Sequence, residues 1–212
     1  MRNSRGKSHG DHEDGSRTDL RVIKTKRAIT GTLIELLRTK SIGKITVTEL
    51  AQKAEINKGT FYLHYEDIYD LYQEALQGHL EEIVDKLEFL NLFAVDPDRF
   101  ARELVAIAVN RSVFEGDPFF DSHNAVFNQS VPVYFCNALT WKIMSVNNIP
   151  ATKENEIKLR FMLAGASFVL RHHPAEDGEA IASVIASAIK ESFLKELKLD
   201  THADQLCSWL HE

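Results

Sequence analysis

Residues 46–65 read TVTELAQKAEINKGTFYLHY, and the order of residue types in this stretch decides the fold. Thr46-Val47-Thr48-Glu49 has the form of a capping box, in which the threonine hydroxyl accepts from the amide three residues on and the glutamate reaches back. The helix it opens is short. Leu50, Ala51 and Ala54 face inward, Glu55-Ile56-Asn57 makes a turn, and Asn57 is a good N-cap for a second helix from Lys58 to about His64. Val47, Leu50, Ala51, Ala54, Ile56 and Phe61 form an inner seam, with the two alanines small enough for close helix packing. Lys58, Thr60, Tyr62 and His64 are left facing outward, and Gly59 lets the backbone approach a partner closely. Two short helices joined this way can lay the second across a DNA major groove while the first braces against the backbone. Packing beneath an ordinary solvated face would give a similar pattern, so the flanking sequence has to decide between them.

Charge favours the first alternative. Residues 1–65 carry 13 Lys and Arg against 7 Asp and Glu, and the remaining residues carry 12 against 24. A basic front on an acidic body is expected where one end meets a polyanion. Residues 1–17 are rich in Gly, Ser, His and charge, lack periodicity, and read as a disordered arm. From about Thr18 a helical pattern runs through Leu20, Ile23, Ala28, Thr32, Leu33, Leu36 and Leu37, and Ser41-Ile42-Gly43-Lys44 breaks it.

Beyond Tyr65 the chain is punctuated by helix signals. A long amphipathic helix is predicted from about Asp67 to Phe89. Asp96-Pro97 and Ser130-Val131-Pro132 read as helix starts, Asn147-Asn148-Ile149-Pro150 as a stop, and Thr152 as a cap for a helix to about Arg171. His172-His173-Pro174 breaks the chain again before a helix over about 175–197, and Thr201 caps a last short one. No period-2 run or hairpin turn signal is present, so the class is all-α: a three-helix helix-turn-helix domain followed by a helical bundle. The expected boundaries are an arm at 1–17, the first domain at 18–65 and the second at 66–212.

The stretch from Lys24 to Tyr72, densest at ELAQKAEINKGTFYLHYEDIYDL, resembles the TetR/AcrR family of transcriptional regulators. It looks most like the subgroup common in Firmicutes, with tyrosine at position 65 where phenylalanine is usual. The resemblance implies that Lys58, Gly59 and Thr60 reach base edges or phosphates. Tyr62 and His64 would bond phosphates, and Thr46 would hold one at a helix N-terminus. Asn57 and Lys44 complete the expected DNA-contacting set. Two positions depart from the family pattern: Glu55 stands where glycine is frequent, and Ile68 where a phosphate-binding lysine is usual. Lys44, Lys24 and the basic arm are expected to compensate.

The resemblance also implies a small-molecule pocket among the middle helices, for which Phe100, Phe114, Phe120, Phe127, Tyr134 and Trp141 are the candidates. Asn124, Asn128, His123 and Arg160 are candidate polar anchors. It further implies a four-helix dimer interface from the last long helices, with Phe161, Ala164, Ile181, Val184, Ile185, Ala188 and Phe193 as candidates. A homodimer could place its recognition helices about one DNA turn, ~34–36 Å, apart on a pseudo-palindromic operator. Against these stand plainer readings, in which the aromatics and both helix faces belong to the core.

Other classes find little support. No nucleophile elbow, phosphate loop or dinucleotide fingerprint occurs, so no enzyme or cofactor is expected. Cys136 and Cys207 lack metal or disulfide spacing, and His172 and His173 are adjacent and cannot share a helical face. No metal is expected, nor a membrane partner, and a cytoplasmic location follows from the lack of a signal segment. The rival to a ligand-responsive repressor is a helical module that binds a protein.

Overall fold

Helix α1 (Asp11–Leu37) starts ahead of the apolar pattern that predicts it. Residues 11–17 were expected in a disordered arm and are helical instead, because each residue added to an existing helix gains a backbone hydrogen bond without a new nucleation cost. The buried face of α1 begins only at Ile29. Leu20 and Ile23, expected on the inner stripe, are 55 % and 52 % exposed, whereas Ile29 and Leu33 are fully buried. The computed structural model describes residues 11–110, 114–121, 124, 131–173 and 175–194, and the fold is all-α, with no strand among the described residues.

The chain divides into two compact units, Met1–Ala75 with Asp121–Asn124, and Leu76–Phe120 with Ala125–Glu212. In the first unit α1 is followed by a 3-10 turn at Ile42–Lys44, then α2 (Val47–Lys53), α3 (Lys58–Tyr62) and the start of α4 (Ile68–Asp85). Helix α1 packs on α2 and α2 on α3. Buried Asn124 accepts the Ile42 amide at 2.9 Å, so the residue expected as a ligand anchor serves the first unit's 3-10 turn.

A polar cluster ties α1 to α4. Tyr65 donates to Glu74 at 2.8 Å, and the Lys26 ammonium reaches the same carboxylate at 2.7 Å while sitting 5.1 Å from the Tyr65 ring centre. Burial, then the bond to Glu74, pushes the Tyr65 phenol well above its ordinary range. Burial works the other way on Glu74, but the hydrogen bonds from Lys26 and Tyr65 outweigh it and hold that carboxyl below its usual range.

The second unit takes in the rest of α4, a 3-10 turn at Glu88–Asn91, α5 (Leu92–Val95), α6 (Pro97–Asn110), α7 (Val131–Val146), α8 (Lys153–His172) and α9 (Gly178–Ile189). Helix α4 ends at Asp85 and not at Phe89. The amides of Lys86 and Leu87 bond three residues back, which tightens and closes the helix. As expected, Asp96 caps α6, accepting the Arg99 amide at 3.0 Å, and Thr152 caps α8, accepting that of Asn155 at 3.2 Å. Helix α9 is framed by a 3-10 turn, Ala175–Asp177, and a π turn, Lys190–Leu194. The expected last helix at Thr201, together with Cys207, lies outside the described residues.

Helix α6 packs on α8 and α9, and α8 also meets α7. The core between them holds Phe93, Phe100, Leu139, Ile143, Leu159 and Ile189, with Phe93 edge-on to Phe100 at 5.3 Å and to Phe193 at 5.2 Å.

Candidate functional site

The helix-turn-helix is built from local bonds. Thr46 accepts the Glu49 amide at 3.2 Å, as the capping box requires, but the Glu49 carboxylate does not return to Thr46; it takes Lys40 at 2.6 Å. Helix α2 ends in a Schellman turn: the Ile56 amide bonds to Ala51 at 2.9 Å and that of Glu55 to Gln52 at 3.2 Å. That turn puts Glu55 at φ +55°, which explains why glycine suits the position. Asn57 then caps α3, accepting both the Thr60 amide at 2.7 Å and the Thr60 hydroxyl at 3.1 Å.

Helix α3 has only five residues, so it depends on packing. Phe61 supplies this, fully buried and edge-on to Tyr62 at 5.5 Å. On the outside, Asn57, Lys58 and Gly59 are exposed and Tyr62 is 57 % exposed. Thr60 and His64, expected to point outward, are half-buried, and the Thr60 hydroxyl is taken up by the Asn57 cap. Leu63, which no sequence pattern singles out, is the most exposed large apolar residue of this segment at 81 %. Ile68 is buried, so the position that departs from the family's lysine faces inward.

Ion pairing separates the basic residues around the motif. Lys26, Lys40 and Lys53 are neutralised by Glu74, Glu49 and Glu35. Exposed Lys44 and Lys58 pair with no carboxylate among the described residues, leaving their charge available to an outside anion.

No family model matches the chain. Over 93 residues, 43 % of the chain, it is 30 % identical to YxbF, an uncharacterized HTH-type transcriptional regulator of Bacillus subtilis (strain 168). The match spans 23 % of that relative's length. It supports a family of helix-turn-helix transcription regulators and carries no finer assignment.

In the second unit, a cavity of about 750 Å³ opens between α6, α7, α8 and residues 114–120. Of the expected pocket residues, Phe114 and Phe120 lie on its wall. Phe100 belongs to the core, Tyr134 is half-buried away from the wall, and Trp141 is 51 % exposed; Phe127 lies outside the described residues. Helical phase explains the difference: α7 presents Val131, Pro132, Phe135, Cys136 and Leu139 to the cavity, and 134 and 141, two turns apart, share the opposite face. Arg160, an expected anchor, is engaged by Glu156 at 3.0 Å and by Asn137. Candidates His123 and Asn128 lie outside the described residues. Sequence reasoning missed Arg171, Ser167 and Cys136 on the wall, since no motif marks them. Burial raises the Cys136 thiol's pKa, while the Arg171 charge pulls it the other way.

The expected interface residues divide. Phe161 is 83 % and Val184 70 % exposed, and Ala164 is exposed, whereas Ile181, Ile185 and Phe193 are buried in the unit's own core and Ala188 is half-buried. Phe168 and Ile157 add further exposed apolar surface on α8. Among the described residues no helix is long and apolar enough to cross a membrane, and no group of three or more metal-ligating side chains comes together.

Proposed function

We propose that this chain is a sequence-specific, DNA-binding transcription regulator of the TetR/AcrR type, a cytoplasmic repressor acting as a homodimer on a pseudo-palindromic operator. Residues 18–65 read the DNA, and residues 66–212 serve pairing and control. The observation that carries this reading is α3 itself, a five-residue helix pinned by Phe61 and capped by Asn57, with Lys58, Gly59, Tyr62 and Leu63 on its open side. Lys58 and Lys44 are assigned to phosphates, Tyr62 to a phosphate oxygen, and Leu63 to apolar contact such as a thymine methyl. Thr46 and Asn57 act chiefly as caps that hold their helix N-termini towards the backbone. His64 and Thr60 take lesser parts, being half-buried.

Exposed Phe161, Phe168 and Val184 support self-association, and the cavity supports a small-molecule effector. Helix α4 carries the chain from the first unit into the second and is the proposed route of coupling. An effector changes operator affinity only by its differential affinity for two conformations.

A gel-shift series on DNA upstream of its own gene, at several salt concentrations, tests the reading. Affinity is expected to fall steeply with salt. Lys58→Ala should also flatten the slope by about one unit, and Tyr62→Ala should weaken binding about tenfold. Absent binding, or a response indifferent to salt, sinks the proposal and favours a protein-binding module. Sedimentation of Val184→Glu, expected to shift the chain towards monomer, tests the pairing separately.

A further inference from the structure

Resting on the reading of the cavity as an effector site, we infer that its occupant is an amphiphilic carboxylate, with its apolar body in the cavity and its carboxylate on Arg171. The size of about 750 Å³ suits a drug- or lipid-sized molecule. Phe114, Phe120, Phe135, Leu139, Leu163 and Leu170 make most of the wall apolar, which disfavours a wholly polar metabolite: most of its hydration would be lost against surfaces that return few hydrogen bonds.

Among the described residues the wall carries one cation, Arg171, and one anion, Glu115. Neither is ion-paired among the described residues, so charge alone admits a ligand of either sign. Donor arrangement decides between them. Arg171 lies one helical turn beyond Ser167, donates its Nε to the Ser167 carbonyl at 3.2 Å, and keeps its terminal amines for a two-pronged grip on a carboxylate. Ser167 and Cys136 add a hydroxyl and a thiol to the same wall, and the Arg171 charge is felt at Cys136. Glu115, exposed like Arg171, stands on the loop between α6 and α7 and has no hydroxyl or thiol donor beside it in sequence on the wall among the described residues.

The test is calorimetric titration of the full chain with dodecanoate, dodecanol and dodecylamine, each below its micelle concentration or solubility limit. Dodecanoate is expected to bind at least about tenfold more tightly than the other two. Arg171→Gln should abolish that preference and leave dodecanol binding unchanged, and Arg171→Lys should restore part of it. Arg171 is exposed, so these variants are expected to fold, with the thermal midpoint as the check. Equal or tighter binding of the amine or the alcohol overturns the assignment, as does a preference that survives Arg171→Gln, or no binding by any of the three. Ala108→Trp, which narrows the cavity from the α6 wall, separates this failure from failure of the site. If dodecanoate binds Ala108→Trp undiminished, the ligand sits elsewhere and the effector-site reading falls too. Gel shifts without ligand report on DNA binding independently of either result.

Discussion

Helices α2 and α7 end in the same way. Each closes on a Schellman turn with one left-handed residue, Glu55 at φ +55° and Asn148 at φ +53°, followed by an isoleucine and then a side-chain cap for the next helix. The amide of Ile149 bonds to Met144 at 2.9 Å, matching Ile56 on Ala51. The surroundings of the two turns differ. After α7, Asn147 donates to the Leu90 and Ile143 carbonyls and accepts the Ala94 amide, and Ile149 is buried, so the turn is fastened into the core. After α2, Glu55, Asn57, Lys58 and Gly59 stay exposed, and Phe61 alone anchors α3. The same backbone motif thus serves as a structural corner in one unit and as a presenting corner in the other.

Removing the anchor of the presenting corner should have the largest effect. Phe61→Ala is expected to cost about 3–5 kcal/mol in urea unfolding and to abolish DNA binding with it. A loss below about 1 kcal/mol would mean that α3 is held by something other than this ring. The fastened corner comes next. Asn147→Ala orphans carbonyl and amide groups of the Glu88–Asn91 turn and α5, and should cost about 2–3 kcal/mol, against about 1 kcal/mol for loss of the Asn57 cap by Asn57→Ala. Equal costs would erase the contrast between the corners.

The left-handed residues sharpen it further. Glu55→Gly should stabilise the first unit by up to about 1 kcal/mol, because a Cβ is disfavoured at that φ, whereas Asn148→Gly should be near neutral because asparagine tolerates it. Thermal unfolding of the two variants side by side is the check. The smallest loss expected on removing a side-chain interaction belongs to the half-exposed Glu74. Its pKa is depressed on folding, so its contribution is present above the ordinary carboxylate range and is lost as pH falls through the folded value. Glu74→Gln should therefore cost under about 1 kcal/mol at pH 7, and the difference from the parent should vanish once the pH is below the folded-state value. A difference that persists in acid would show that packing, not charge, is what Glu74 contributes.

How far each feature was legible depended on the range of the interactions that make it. Thr46, Asn57, Asp96 and Thr152 were readable as caps because the amide each one satisfies lies three residues away. The cavity was not readable in this way. Phe100, Tyr134 and Trp141 were as plausible as Phe114 and Phe120 from composition, and only the rotation of α6 and α7 about their axes separates wall from core and surface. The dimer candidates divided for the same reason: a helix that is apolar over most of its circumference does not declare which side its own core will take.

By itself the sequence determined the all-α class, the helix-turn-helix corner and the basic front, because caps, turns and charge density are local properties of the chain. Tertiary packing decided that Glu49 serves Lys40 and not its own helix, that Ile68 turns inward, and that Leu63 turns out. It also brought Arg171, Ser167 and Cys136 onto one wall. Each of these depends on which face a helix buries, and that is settled by all the apolar surface that must leave water together, not by any single segment.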